Sequence, residues 1–313
     1  MKNRDELNYW LKLSRVENVG PKGFNKILTF LKQENKNIAD LFKLSVKELG
    51  TLLEKGKMSR VDPVKILKSH DGNFDKLIST LEEKQIKVVT LEDNNYPVSI
   101  KKVLAENAPP LLYAYGNLAL LDKKALAIVG SRHASEESVK VAQSIARLMV
   151  QRDICVISGY AAGIDSSAHW GALENNGATV IVLPYGILDF KWKEPFNNID
   201  GLDDRVLVLS EFYPNTKWNM WSAMQRNKTI VALSGGVFAV EFTEDGGTFD
   251  TIKSTVRLKK PLFVINNAEN RKVLERNRVA AIYVDQNSEG LVETILSNIG
   301  KTPPEVDRQI SLF

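Results

Sequence analysis

The stretch CVISGYAAGIDSSAHWGALENNGATVIVLP, Cys155 to Pro184, reads as a strand, a helix and a second strand. CVIS and ATVIVL are short, uninterrupted apolar runs. Glycines at 159 and 163 break the first run and open a helix whose Ile164, Ala168 and Ala172 recur at helical spacing. Strands with no polar alternation are buried on both faces, as in a parallel sheet covered by helices. The same grammar extends in both directions. ALAIVG (Ala125 to Gly130) is a strand and SVKVAQSIARLMVQR a helix. RVLVLSE, SAMQRNKTIVALS, VFAVEF, GTFDTIKSTVRL, PLFVI, AIYV and LVETILSNI continue the alternation. The expected fold is a doubly wound α/β domain with a mostly parallel sheet.

Composition bounds the remaining possibilities. The chain has 313 residues, 43% hydrophobic and 26% charged, an ordinary balance for a soluble globular protein. It contains no run of the ~18 apolar residues a membrane span requires. The N-terminus, MKNRDELNYW, has neither the apolar stretch nor the cleavage site of a secretory signal, so the cytoplasm is the expected compartment and no membrane partner is expected. A single cysteine, Cys155, set in apolar DICVIS, forms no internal disulfide and reads as an inert buried thiol. Three scattered histidines, His70, His133 and His169, show no ligand spacing, and no metal is expected. The net charge of +4 permits a polyanionic partner without requiring one.

Before the α/β region, ELNYWLKLSR, GFNKILTFLKQ, VKELGTLLEK and FDKLISTLEEK carry apolar residues at helical spacing. They define a small helical domain over residues 1–81. In VENVGPKGFNKI two glycines flank Pro21-Lys22 in a tight turn; this is either a helix-hairpin-helix element able to meet a phosphate backbone or a plain connector. The α/β domain is expected over 82–299, and 300–313, which opens with Gly and two prolines, as an extended tail.

In an open parallel sheet, ligands bind where the loops leave the carboxyl ends of the strands. Four such loops hold the informative residues. After the first central strand come Gly130, Ser131 and Arg132, with Ser135 as the next helix cap. After the second come Ser158, Gly159 and Gly163, before a helix. Arg226, Asn227 and Lys228 are read at the start of a later helix, and Gly246, Gly247 and Thr248 before the next. Exposed amides and the positive end of a helix dipole favour anions. Two adjacent anion sites suit a polyphosphate or a nucleic acid strand.

No G-x-G-x-x-G follows a strand and no G-x-x-x-x-G-K-[ST] occurs, so no cofactor is expected. Asp165 and His169 stand four apart on one helical face, a spacing that can serve acid-base chemistry. The structural reading, with Asp165 in the first helical turn and His169 packed against a neighbouring loop, is favoured because no nucleophile pattern accompanies them, and no catalytic residue is assigned. Trp218 and Trp221 in KWNMWSAMQRNK alternate aromatics with cations, as single-strand binding grooves do; one of the two is expected in the core, and the other is left open.

Taken together, YP (Tyr96, Pro97), PPLLYAYGN, AIVGSR, SGYAAGIDSSAHWGAL, LSEFYP and QRNKTIVALS resemble the DNA-processing protein A family, also called Smf, in order from about residue 86 to 265. The resemblance implies an extended Rossmann-like domain that binds single-stranded DNA in a basic groove, forms a homodimer and hands the strand to a RecA-type recombinase. It places Arg132, Arg226 and, by position, Lys228 on the DNA, and makes the GID segment backbone architecture beside the groove. Lys228 replaces a family arginine and loses the bidentate fork. Gly246-Gly247-Thr248 replaces a Ser-Gly-Ser, and no counterpart of the family's frequent C-terminal winged helix is expected.

The chain instead ends RQISLF, in which Gln309, Ser311, Leu312 and Phe313 fit the pattern of peptides that bind the bacterial DNA polymerase sliding clamp, with docking of Phe313 on its own domain as the other reading. A different class of function is a phosphoribohydrolase-like enzyme or nucleotide sensor. DGGTFDT echoes the signature of such enzymes, but the proline is missing and Thr251 stands where a glutamate belongs, with Glu241 and Asp250 the nearby carboxylates.

Overall fold

A computed structural model describes residues 2–69, 74–196, 202–285 and 290–302. The chain divides into two compact units, the first ending at Tyr113 and the second beginning at Ala114. The first unit runs α1 (Arg4–Ser14), α2 (Pro21–Gln33), α3 (Ile38–Leu41), α4 (Val46–Lys55), α5 (Pro63–Lys68), α6 (Asp75–Glu83), β1 (Lys87–Thr90) and α7 (Val98–Leu104), and β2 (Leu111–Gly116) follows across the division. Side chains start the helices where the sequence offers a cap. Asn3 accepts from the Glu6 amide, Asp62 from Val64, and Ser45 forms a capping box with Glu48. The four long helical patterns are all helices. The single-turn α3 and the short α5 escaped periodicity because neither is long enough to show a stripe.

Trp10 stacks on Phe24 with centroids 5.2 Å apart, and Leu13, Ile27, Leu31, Leu49 and Ile66 are buried as well. Each such side chain contributes about 1.5–3 kcal/mol. The compact unit extends past residue 81, the end of the last helical pattern, because the segment before β2 packs back on α2. Lys22 pairs with Glu106, and Asn25 Nδ2 donates to the carbonyls of Glu106 (3.0 Å) and Ala108 (2.9 Å). Gly20 precedes α2 as its cap residue and Pro21 stands in its first turn.

The second unit alternates as expected: β3 (Ala125–Val129), α8 (Glu136–Val150), β4 (Cys155–Ser158), α9 (Ile164–Glu174), β5 (Thr179–Val182), α10 (Leu202–Arg205), β6 (Val206–Ser210), α11 (Met220–Leu233), β7 (Val237–Ala239), α12 (Gly247–Arg257), β8 (Leu262–Ile265), α13 (Ala268–Arg276), β9 (Ile282–Val284) and α14 (Gly290–Asn298). Its strands lie in the order β6-β5-β4-β3-β7-β8-β9, every neighbouring pair parallel, with Ala125 opposite Cys155 and Ala127 opposite Val237. The fold is α/β and doubly wound. Leu126 and Ile128 of β3 join Val141, Ile145 and Met149 of α8 and Ala168 and Ala172 of α9 in one core cluster. The alternate residues Ala125, Ala127 and Val129 face the other side of the sheet, where α11 packs on β3, β4 and β5. Among the described residues no helix is long and apolar enough to cross a membrane.

Chain order reverses between β3 and β7: β3 to β6 proceed one way across the sheet, and β7 to β9 continue from the other side of β3. Ligand crevices form at such a switch point, outside the carboxyl ends of the strands.

Candidate functional site

A cleft of about 520 Å³ opens at that switch point. Gly130, Ser131, Arg132 and His133 from the loop after β3 form one wall, and Thr243, Asp245, Gly246, Gly247 and Thr248 from the loop after β7 form another. Trp218, Met220, Met224, Arg226 and Asn227 of the third loop and α11 complete it. Eight of the twelve residues read from the sequence as phosphate-binding, Gly130, Ser131, Arg132, Arg226, Asn227, Gly246, Gly247 and Thr248, thus meet in one place.

The first and last loops are fastened to each other. The Ser131 amide donates to the Glu241 carbonyl (2.8 Å), and the amide and hydroxyl of Ser135 donate to Glu241 Oε2 at 3.0 and 2.9 Å. Burial works to raise the Glu241 carboxyl, but the hydrogen bonds from Ser135 and Ser138 outweigh it and hold the group below the usual carboxylate range. Glu241 organises the cleft instead of titrating in it. Ser135 caps α8 through the Ser138 amide, as its position before the helix predicts.

The remaining four residues lie elsewhere, each for a physical reason. Ser158 is fully buried and donates to the Ile128 carbonyl at 2.5 Å. Gly163, with φ of +74°, starts α9 pressed against the carbonyls of Ser131 and Arg132, where any Cβ would collide. The Ile164 amide donates to the Ser131 carbonyl at 3.2 Å. The expected anion site at the start of α9 is therefore occupied by the neighbouring loop's own backbone. Lys228 turns out of the cleft, its Nζ donating to Gln225 Oε1 at 2.9 Å. By contrast, no side chain caps α12, which begins at Gly247 inside the cleft.

Arg226 departs most from expectation. α11 begins at Met220, capped by Asn219, so Arg226 lies well inside the helix and not at its start. Only 6% exposed, it donates from Nη1 to the Val182 carbonyl at 2.7 Å, and its Nε is buried without a hydrogen-bond partner among the described residues. A side chain on Gly159 would collide with both Arg226 and Asp165, so this glycine exists to let the pair approach the backbone. Burial pushes the Asp165 carboxyl up and the Arg226 guanidinium down, and each charge partly restrains the other's shift. The pair forms a charged floor beneath the loops.

His169 is fully buried, and its Nδ1 lies 2.7 Å from Thr179 Oγ1, which itself donates to the Val156 carbonyl at 2.9 Å. Burial pushes this histidine down to about 3, which leaves it neutral. His169 thus meets strand β5 and not a neighbouring loop, and Asp165 sits against Arg226. Cys155, also buried, is pushed up to about 12.

The tryptophans reverse expectation. Neither is core: Trp218 is 51% and Trp221 64% exposed, alongside Met220 at 72% and Met224 at 45%. The Arg132 guanidinium lies over the Trp218 ring, 5.9 Å from its centroid, and Trp221 meets Phe212 edge-on. Sequence reasoning missed Met220 and Met224. The available signal was Asn219, a cap residue three places before the serine from which the helix was read. Glu241 was named only as a stray carboxylate. Gln309, Ser311, Leu312 and Phe313 lie outside the described residues.

The profile of the family described as DNA recombination-mediator protein A matches residues 87–284. The DNA processing protein DprA of Streptococcus pneumoniae is 31% identical over 173 residues, 55% of this chain and 60% of that protein. Protein Smf of Synechocystis is 26% identical over 277 residues, 84% of this chain and 65% of that one. The chain thus spans somewhat less than two thirds of these relatives. Among solved structures, DNA processing protein A from Streptococcus pneumoniae aligns over 96% of this chain and 99% of its own, with a TM-score of 0.74 and 24% identity, a likeness of fold. DNA processing protein A from Helicobacter pylori, whose structure concerns its single-stranded DNA binding mode, aligns over 68% of this chain and 97% of its own, with a TM-score of 0.56 and 26% identity. With the profile running from β1 to β9 and through every loop of the cleft, the chain belongs to the DNA recombination-mediator protein A family.

Proposed function

We propose that this protein binds single-stranded DNA in the cleft between the loops after β3 and β7, as a non-catalytic mediator of recombination. The observation that carries the reading is the Arg132–Trp218 pair beside the uncapped start of α12. An exposed indole offers a π-face on which any base stacks, a guanidinium forks onto a phosphate, and the amides of an uncapped helix start donate to a second phosphate. Family membership and the strand-binding relative from Helicobacter pylori support the same assignment. In this reading Arg132, Ser131, Gly247 and Thr248 meet phosphates, and Gly130 and Gly246 let the backbone approach. Asn227 and the buried Arg226 form the floor, Ser158, Gly159 and Gly163 are architecture, and Lys228 adds charge at the flank.

The finer parts rest on the family resemblance and on the tail. They are handing the strand to a RecA-type recombinase, action as a homodimer in the cytoplasm, and tethering to the sliding clamp through Gln309, Ser311, Leu312 and Phe313. Fluorescence anisotropy with labelled oligo-dT over a range of salt tests the central claim. Affinity should fall linearly with salt on logarithmic axes, since phosphate contacts release counterions, and Arg132→Ala should weaken it. An Arg132→Ala protein with unchanged affinity overturns the cleft assignment. Recovery of clamp by the full chain, and not by one lacking the last five residues, tests the tail.

A further inference from the structure

We infer that the N-terminal unit holds a second groove for single-stranded nucleic acid, built from residues separate from the cleft. It is an open groove of about 870 Å³ along α2 and the end of α4. Five lysines line it, Lys26, Lys32, Lys55, Lys57 and Lys101, against two glutamates, Glu34 and Glu106. Ion pairing leaves this basic excess unchanged. Glu106 is already paired with Lys22, which lies outside the groove lining, and Lys32 with Glu92. Among the described residues Lys26, Lys55, Lys57 and Lys101 enter no ion pair. Lys26 is held in place by the Gly56 carbonyl at 2.9 Å, while Lys55, Lys57 and Lys101 are exposed.

An aromatic ring selects among polyanions. Phe30 lies half-buried in the groove with Lys55 Nζ 5.8 Å from its centroid, over a floor of Leu28, Leu52 and Met58. A ring beside ammonium groups gives a base somewhere to stack while its phosphates meet lysines, whereas an acidic peptide would use the charges and leave the ring unsatisfied. Lysines serve here as point charges that follow a flexible backbone, without the fixed fork that arginine brings.

The test uses the full chain and 4-thiothymidine oligonucleotides, photo-crosslinked and mapped by mass spectrometry, with anisotropy in parallel. Crosslinks are expected around Phe30 and should persist in Arg132→Ala. They should disappear in Lys55→Glu/Lys57→Glu and weaken in the milder Lys55→Gln/Lys57→Gln, which guards against a folding defect. Removing two contacts should lower the salt slope by about 1.4, at ~0.7 per contact for a single strand. Crosslinks confined to residues 218–224, with the lysine variants unchanged, overturn the groove and leave the cleft standing. Crosslinks at Phe30 with none near Trp218 support the groove and count against the cleft. Displacement of the Phe30 crosslinks by polyglutamate as readily as by unlabelled oligo-dT overturns the choice of nucleic acid.

Discussion

The guanidinium of Arg226 donates to the backbone carbonyl of Val182 at 2.7 Å, across 44 residues of sequence. A cation expected to face DNA is thus a structural member that ties α11 to the end of β5, with Asp165 as its counter-charge. Arg226→Ala is therefore expected to cost about 3–5 kcal/mol of folding stability, the usual consequence of leaving a buried charge unpaired, measured by urea unfolding. The double variant Arg226→Ala/Asp165→Asn should lose less than the sum of the single losses. Because the folded state raises the Asp165 carboxyl, the Arg226→Ala deficit should shrink as pH falls and that group takes up its proton. Additive losses would show that the pair is not coupled.

Glycines 159 and 247 should respond oppositely to alanine. A Cβ at Gly159 collides with Asp165 and Arg226, whereas at Gly247 nothing lies within 4 Å. Gly159→Ala is expected to lower stability by about 1–3 kcal/mol through overpacking. Gly247→Ala in the first turn of α12 should be neutral or stabilising by up to ~1 kcal/mol. Thermal melts of the two variants, side by side, decide.

Trp218 is exposed, so its removal should spare the fold and strike binding. Trp218→Ala is expected to weaken oligo-dT affinity by roughly ten- to a hundredfold, corresponding to about 1–3 kcal/mol for one stacked base. Its melting temperature should match that of the parent. Loss of stability with unchanged affinity would make the indole a packing residue.

Glu211 supplies a pH test. Burial pushes its carboxyl up to about 7, with the Thr229 hydroxyl, which donates to Oε1 at 2.7 Å, and the nearby Lys228 and Arg226 opposing the rise. A carboxyl raised on folding binds its proton more tightly in the native state. Stability should therefore fall as pH climbs from about 4.5 to about 7 and level off above. Glu211→Gln retains an acceptor for Thr229 and carries no charge, so it should be more stable than the parent at pH 8 and equal to it at pH 5. Parallel stability–pH curves would refute the assignment.

Much of the site was legible because its elements are local. Gly130-Ser131-Arg132 and Gly246-Gly247-Thr248 end apolar runs and precede helical patterns, and both loops do line the cleft. The loop at Gly159 to Gly163 carries the same local signal but is closed, since the Ser131 carbonyl, from a distant stretch of chain, takes the Ile164 amide. One of Trp218 and Trp221 was expected in the core and neither is buried, because hydrophobicity counts toward burial only when packing supplies a partner surface.

From residue order alone came the parallel α/β alternation, the helical N-terminal unit and the loops that line the cleft, since apolar period and turn chemistry act over a few residues. The orientation of α11 was decided in three dimensions. Buried residues surround much of that helix, so no stripe announces its inward face. Packing against β3, β4 and β5, together with the Val182 carbonyl and the Asp165 charge, draws Arg226 beneath the cleft and leaves Arg132 and Trp218 at its surface.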